Sequence, residues 1–321
     1  MGFRIADEDV ERVVAGLLGA VDVDDGPQDE QLAVLDSIVR HLLGRPDLDL
    51  AAVRPLGPDE LALAVTDPTS RTRTHWLLVT LEACRHPLGP SQVDSVERYL
   101  DALGVDGPDR EVFRDLVHVG TDRAAADFRR FLDTTLAERV DPPLRAVAPV
   151  ADAPEPELAD RLCAFAELPD GSLGRAFLDF HTRNGIPVPG VEASPINHFF
   201  VGHDMTHTIA GIEPTGPGEV ALSAFQMAAD DTALNTAALL ASLVVHEAGF
   251  ERSPSVAAEA GILATPGAAE LLGQEMGRGA ACSADFSLVD HFELAPLPLA
   301  EVRRRFGVGA PVDPDDGHHC W

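Results

Sequence analysis

Apolar residues in the first 140 positions recur at three- and four-residue steps, the period of amphipathic helices. Residues 9–21 and 29–43 show it most clearly, and 71–84, 90–103 and 109–139 continue it, with a break expected near Gly120. Gly57-Pro58-Asp59-Glu60 opens another helix, with proline near the first turn and acids after it. Beyond residue 157 the same pattern predicts helices over 158–165, 173–184, 195–209, 219–229, 231–246, 255–264, 266–278 and 299–306. Asp231 or Thr232 can cap the fifth of these, whose body is apolar on nearly all faces and belongs in a domain centre. Ser172 reads as a cap for the helix that follows it. Nothing alternates with the period of a strand. The expected fold class is all-α: two helical domains joined by a Pro/Ala-rich linker.

The linker falls where composition shifts. Residues 141–157 hold Asp141-Pro142-Pro143, Pro149, Pro154 and Pro156, which suits an extended spacer. The expected units are therefore a helical accessory domain over 1–140, a second domain over 158–308, and a mobile tail over 309–321. At 321 residues the chain can bury a sizeable core, and with only 5% aromatics that core must be built mostly from Ala, Val and Leu. Acids outnumber bases 53 to 24, giving a net charge of -29, a field that repels nucleic acid. The longest apolar run, residues 237–245, is too short to span a bilayer, so at most peripheral membrane contact is expected. No signal peptide is evident at the acidic start, and Cys84, Cys163, Cys282 and Cys320 show no paired spacing. A reduced, cytoplasmic bacterial protein is expected, and a homodimer is compatible with the sequence.

Candidate chemistry concentrates in His203-Asp204-Met205-Thr206-His207, followed after eleven residues by Glu219. A helix advances about 100° per residue, so the two imidazoles lie on one face, close enough for a single ion. Asp204 can ligate or orient a ring from behind. The intervening Gly/Pro-rich segment, residues 211–218, reads as a turn that brings Glu219 to the start of the next helix. By default each residue has an ordinary explanation: Asp204 and Glu219 are acids at helix starts, and His207 is an imidazole at the core edge. His246 can likewise be a residue of a last helical turn, His198 faces elsewhere, and the terminal His318-His319-Cys320-Trp321 reads as a frayed end.

The whole set resembles the coenzyme Q biosynthesis protein 4 family, whose signature is His-Asp-x-x-His, eleven residues, then Glu. Leu168-Pro169-Asp170-Gly171-Ser172-Leu173-Gly174-Arg175 is similar to that family's Leu-Pro-x-Gly-Ser-Leu-Gly-Arg block. The run Gly218-Glu219-Val220-Ala221, then Pro298-Leu299-Ala300-Glu301-Val302-Arg303 and Phe306-Gly307-Val308, continue the likeness in the same order. It spans roughly residues 158–308. Phe199-Phe200-Val201-Gly202 departs from the charged residues that usually precede the signature. The N-terminal half resembles tellurite-resistance (TerB-like) helical domains only loosely, and no site carries over from them.

The resemblance implies a metal, usually Zn²⁺, held by His203, Asp204, His207 and Glu219 as catalytic and metal residues; two His plus a carboxylate also suits Fe²⁺. It implies a lyase-type enzyme of quinone or secondary metabolism, decarboxylating or hydroxylating a hydrophobic aromatic substrate. Zinc would stabilise developing oxyanion charge, whereas iron suits oxidative chemistry. Arg175, Phe199, Phe200 and His246 are the expected substrate-binding residues. The rival expectation is a scaffold or prenyl-lipid-binding protein with a structural zinc.

Overall fold

The computed structural model describes residues 2–107, 109–250 and 258–321. Seven helices occupy the first half: α1 (Val10–Val21), α2 (Asp29–His41), α3 (Pro58–Ala64), α4 (Pro68–Ala83), α5 (Pro90–Leu103), α6 (Asp109–His118) and α7 (Thr121–Glu138). Eight follow: α8 (Pro156–Cys163), α9 (Leu173–Asn184), α10 (Asn197–Ala210), α11 (Gly216–Ala229), α12 (Ala233–Ser242), α13 (Ala268–Ala280), α14 (His291–Leu294) and α15 (Leu299–Phe306). Among the described residues no strand forms, only two isolated bridges. The fold class is all-α, as the periodicity predicts.

Local chemistry explains the boundaries. Proline enters the first turn of α3, α4, α5, α8 and α11, where its missing N–H costs nothing. Asp67, Ser172, Thr215 and Thr232 cap α4, α9, α11 and α12 by accepting the backbone N–H three residues on. Gly120 separates α6 from α7 at a φ of 129°. Three expectations are corrected. Helix α11 starts at Gly216 rather than after a turn ending at Gly218, because the Thr215 cap and Pro217 both suit a first turn. The helix expected over 231–246 ends at Ser242 and widens into a π-helical turn, Leu243–Ala248, closed by Gly249 in the left-handed region. Of the helix expected over 255–264, only the short turn Ile262–Ala264 is seen, and residues 255–257 lie outside the described residues.

The apolar cores divide the chain differently from its two halves. One cluster unites α1–α7 with α11, α12 and α13, through residues such as Leu35, Phe128, Met227 and Met276. The other joins α8–α11 and α15 around Phe177, Met205, Phe225 and Phe286. Helix α11 contributes to both, presenting Val220 and Ala224 to the first and Leu222 and Phe225 to the second. The segment between the halves is anchored at both ends by buried carboxylates. Asp141 accepts from the backbone N–H of His291 at 3.1 Å, and Glu155 accepts from His198 Nε2 at 2.7 Å.

The tail expected to be mobile makes specific contacts with the helices. Glu213 N–H donates to the His318 carbonyl at 2.8 Å, and Cys320 N–H to that of Gly211 at 2.9 Å. His319 is buried between Glu275 and Asp316, and Trp321 stacks under the Arg303 guanidinium. The last four residues thus brace the α10–α11 turn.

Candidate metal centre

Two neighbouring helices build the centre. His203 and His207, one turn apart on α10, aim both Nε2 atoms at the Glu219 carboxylate in the first turn of α11. His203 Nε2 lies 3.3 Å from Glu219 Oε2, and His207 Nε2 lies 3.3 Å from Oε1. The three ligand atoms fall within 4.8 Å of one another, close enough to converge on one ion.

The remaining ring nitrogens are held from behind. His203 Nδ1 donates to Asp204 Oδ1 at 2.9 Å, and His207 Nδ1 donates to the Ile212 carbonyl at 2.9 Å. That carbonyl is available because Gly211 takes the left-handed conformation (φ 72°) and turns the chain back. With Nδ1 protonated on each ring, each Nε2 offers a lone pair to the shared point. Asp204 therefore sits behind the His203 ring rather than among the three convergent ligands, and its second oxygen lies 3.3 Å from His181 Nε2. Phe180 stacks on the His207 ring and fixes its plane.

Electrostatics match this geometry. Burial alone would push the His203 imidazolium down, but the charges of Glu219 and Asp204 outweigh it and hold its pKa up at about 9. Burial likewise pushes the Glu219 carboxyl up, yet the facing His207 and His203 bring it well below its ordinary value. A cation bound here must displace the His203 proton, so apparent zinc affinity is expected to fall about tenfold for each pH unit below 9. Zinc titrations from pH 6.5 to 8.5 check this, and a pH-independent affinity would contradict it.

The centre opens onto a chamber of about 110 Å³, whose apolar walls include Leu132 and Leu136 of α7, Phe199 and Phe200 of α10, and Val245. Beyond Leu132, Leu136, Ile196 and Phe199 the wall continues into an outer groove of about 590 Å³. On the opposite side Phe200, His203, Glu219 and His246 border a cleft of about 510 Å³ that also holds Asp204 and Glu259. Besides the centre itself, Arg139, Gln226 and Ser242 are among the polar residues that line the chamber. The buried Arg139 guanidinium donates to Gln226 Oε1 at 2.7 Å and Asn235 Oδ1 at 3.0 Å. Its donation to Oε1 engages one end of the Gln226 amide, and among the described residues Gln226 Nε2 and Ser242 Oγ are buried with no hydrogen-bond partner.

Of the expected substrate residues, Phe199, Phe200 and His246 line these spaces, and His246 Nδ1 donates to Glu259 Oε2 at 2.9 Å. Arg175 does not. Its guanidinium donates to the Ala166 carbonyl at 2.6 Å and faces Asp170, because the start of α9 points away from α10's metal-facing side. The cation in the chamber is Arg139, at the end of the first-half helices. No spacing rule marks it, since it follows a plain amphipathic helix; burial alone reveals its role.

No family model matches the chain, and no curated protein matches it. One solved structure, of a candidate ubiquinone biosynthesis protein from Nostoc punctiforme PCC 73102, aligns over 74% of this chain and 98% of that chain. The identity is 17% and the TM-score 0.33, too low for that likeness to carry an argument about fold or function.

Proposed function

We propose that this protein is a metalloenzyme that holds one divalent cation with His203, His207 and Glu219 and acts on an amphiphilic aromatic or quinone-type molecule. The observation that carries this reading is the convergence of two Nδ1-anchored imidazoles and one carboxylate beside a chamber with unpartnered polar groups. Three protein ligands leave a coordination position for substrate, as catalytic sites do and closed structural sites do not. The cation would be Zn²⁺, or Fe²⁺ for oxidative chemistry; either supplies Lewis acidity toward a carboxylate or phenolate oxygen. The protein's own groups do the rest. Arg139, Gln226 Nε2 and Ser242 Oγ orient an anionic head group, and Phe199 with Leu132 and Leu136 guides an apolar tail into the outer groove. The sequence likeness to coenzyme Q biosynthesis protein 4 favours decarboxylation or a related step on a ring carboxylate within quinone or secondary metabolism.

Metal analysis of protein purified without added ions tests the first part. Stoichiometric metal in the native chain and its loss in folded His203→Ala are expected; no metal in either would overturn the reading. For the second part, an alkyl 4-hydroxybenzoate serves as probe. Phe199→Asp should weaken its binding about 10- to 100-fold, the worth of a buried Phe, while zinc uptake is unchanged. Equal affinity in both proteins would remove the apolar groove from the function, and metal without turnover would favour a lipid-holding scaffold.

A further inference from the structure

A second group of potential ligands lies away from the centre just described. Glu30 of α2, His86 after α4, and Glu247 in the wide turn after α12 place one ligand atom each within 4.8 Å of the others. We propose that these three residues form a second divalent-cation site, of the zinc class, that clamps the first-half helices to the end of α12.

Glu247 is fully buried, and only 10% of the Glu30 side chain is exposed. His86 Nε2 donates to Glu247 Oε1 and lies 3.7 Å from Glu30 Oε2. Two carboxylates this close carry charge together only with a cation or a shared proton between them, a place that the His86 imidazolium fills in the absence of metal. Burial, then the facing Glu247, push the Glu30 carboxyl up, and Glu247 also raises the His86 imidazole. One Glu30 oxygen, Oε1, is buried with no hydrogen-bond partner among the described residues. Two carboxylates and a neutral imidazole bring two negative charges, which a divalent cation balances. The imidazole favours zinc-like ions over calcium or magnesium.

The surrounding contacts hold the ligands in place without one. Gln28 clasps the His86 backbone at both ends, accepting from its N–H at 2.8 Å and donating to its carbonyl at 2.9 Å. Leu263 N–H donates to Glu247 Oε2 at 2.8 Å, leaving Oε1 toward the group. The partly exposed edge of His86 provides the way in. Adjacent residues of this turn face different ways: His246 borders the cleft beside the first centre and Glu247 belongs to the second.

The test uses the full chain, stripped with a chelator and titrated with Zn²⁺ alone by calorimetry, with circular dichroism to confirm folding. Two equivalents are expected for the native protein, one for His86→Ala, one for His203→Ala and none for the double variant. Glu247→Gln, which keeps an acceptor for Leu263, should match His86→Ala and show a smaller zinc-induced rise in Tm than the native protein. If the first centre fails to bind, one equivalent in the native chain that disappears in His86→Ala still supports the second. A folded His203→Ala protein that takes up no zinc, or a His86→Ala protein with native stoichiometry, would overturn it and leave a proton-sharing carboxyl pair.

Discussion

Glu219→Gln is expected to lower zinc affinity by at least about 100-fold, beyond the 10- to 100-fold typical of losing a partner outside the ligand set. The substitution is isosteric and removes the one negative charge that both Nε2 atoms face, at 3.3 Å each. Because Glu219 is also the foremost support of the raised His203 imidazolium, its loss should bring the His203 pKa down from about 9 in metal-free protein. Zinc calorimetry and the His203 ring resonances followed against pH report the two effects separately. Near-native zinc affinity in the variant would mean that the cation is not held between α10 and α11. An unchanged His203 titration would mean that Asp204, on Nδ1, dominates instead. Should both be lost while urea unfolding is unaltered, Glu219 acts as a ligand and not as a structural acid.

How much of this was legible in the sequence follows from the range of each interaction. The four-residue step from His203 to His207 and the Gly/Pro turn before Glu219 are local, so the pairing of α10 with α11 can be read from spacing. The role of Asp204 depends on which ring nitrogen it meets, and that is set by the orientation of the His203 side chain rather than by sequence separation. Arg139 is 80 residues from Glu219, and its place in the chamber follows from packing α7 against α12, where it reaches Asn235 and Gln226. Composition also misleads at the C-terminus. A Gly/Pro/Asp-rich tail has the makeup of a loose end, but His319 finds Glu275 and Trp321 finds Arg303, contacts visible only once α13 and α15 are placed. Arg175 is expected at the site only from its neighbours in a family-like block. What decides its role is that the start of α9 faces Ala166 and Asp170.

Gly279→Ala is expected to destabilise the protein by about 3 kcal/mol or more, the upper range for overpacking a well-filled core. Helix α13 lies between α2 and α11 and meets both at backbone distance. A Cβ on Gly279 would stand 2.1 Å from the Phe225 carbonyl oxygen, and one on Gly273 would reach Ser37 Oγ at 2.2 Å and the Ser37 carbonyl carbon at 2.6 Å. Neither obstacle is the far end of a flexible side chain, so relief requires moving a whole helix. Gly309→Ala, where a new Cβ meets nothing within 4 Å, is the control and should stay within about 0.5 kcal/mol of the native protein. Urea unfolding of the three proteins measures the difference. The displaced element would be α11, which carries Glu219 and also links the two apolar clusters through Val220 and Phe225. Zinc affinity should therefore fall along with stability in Gly279→Ala, although no ligand is touched. A variant of native stability, or one that is destabilised yet binds zinc normally, would show that α13 does not set the position of α11.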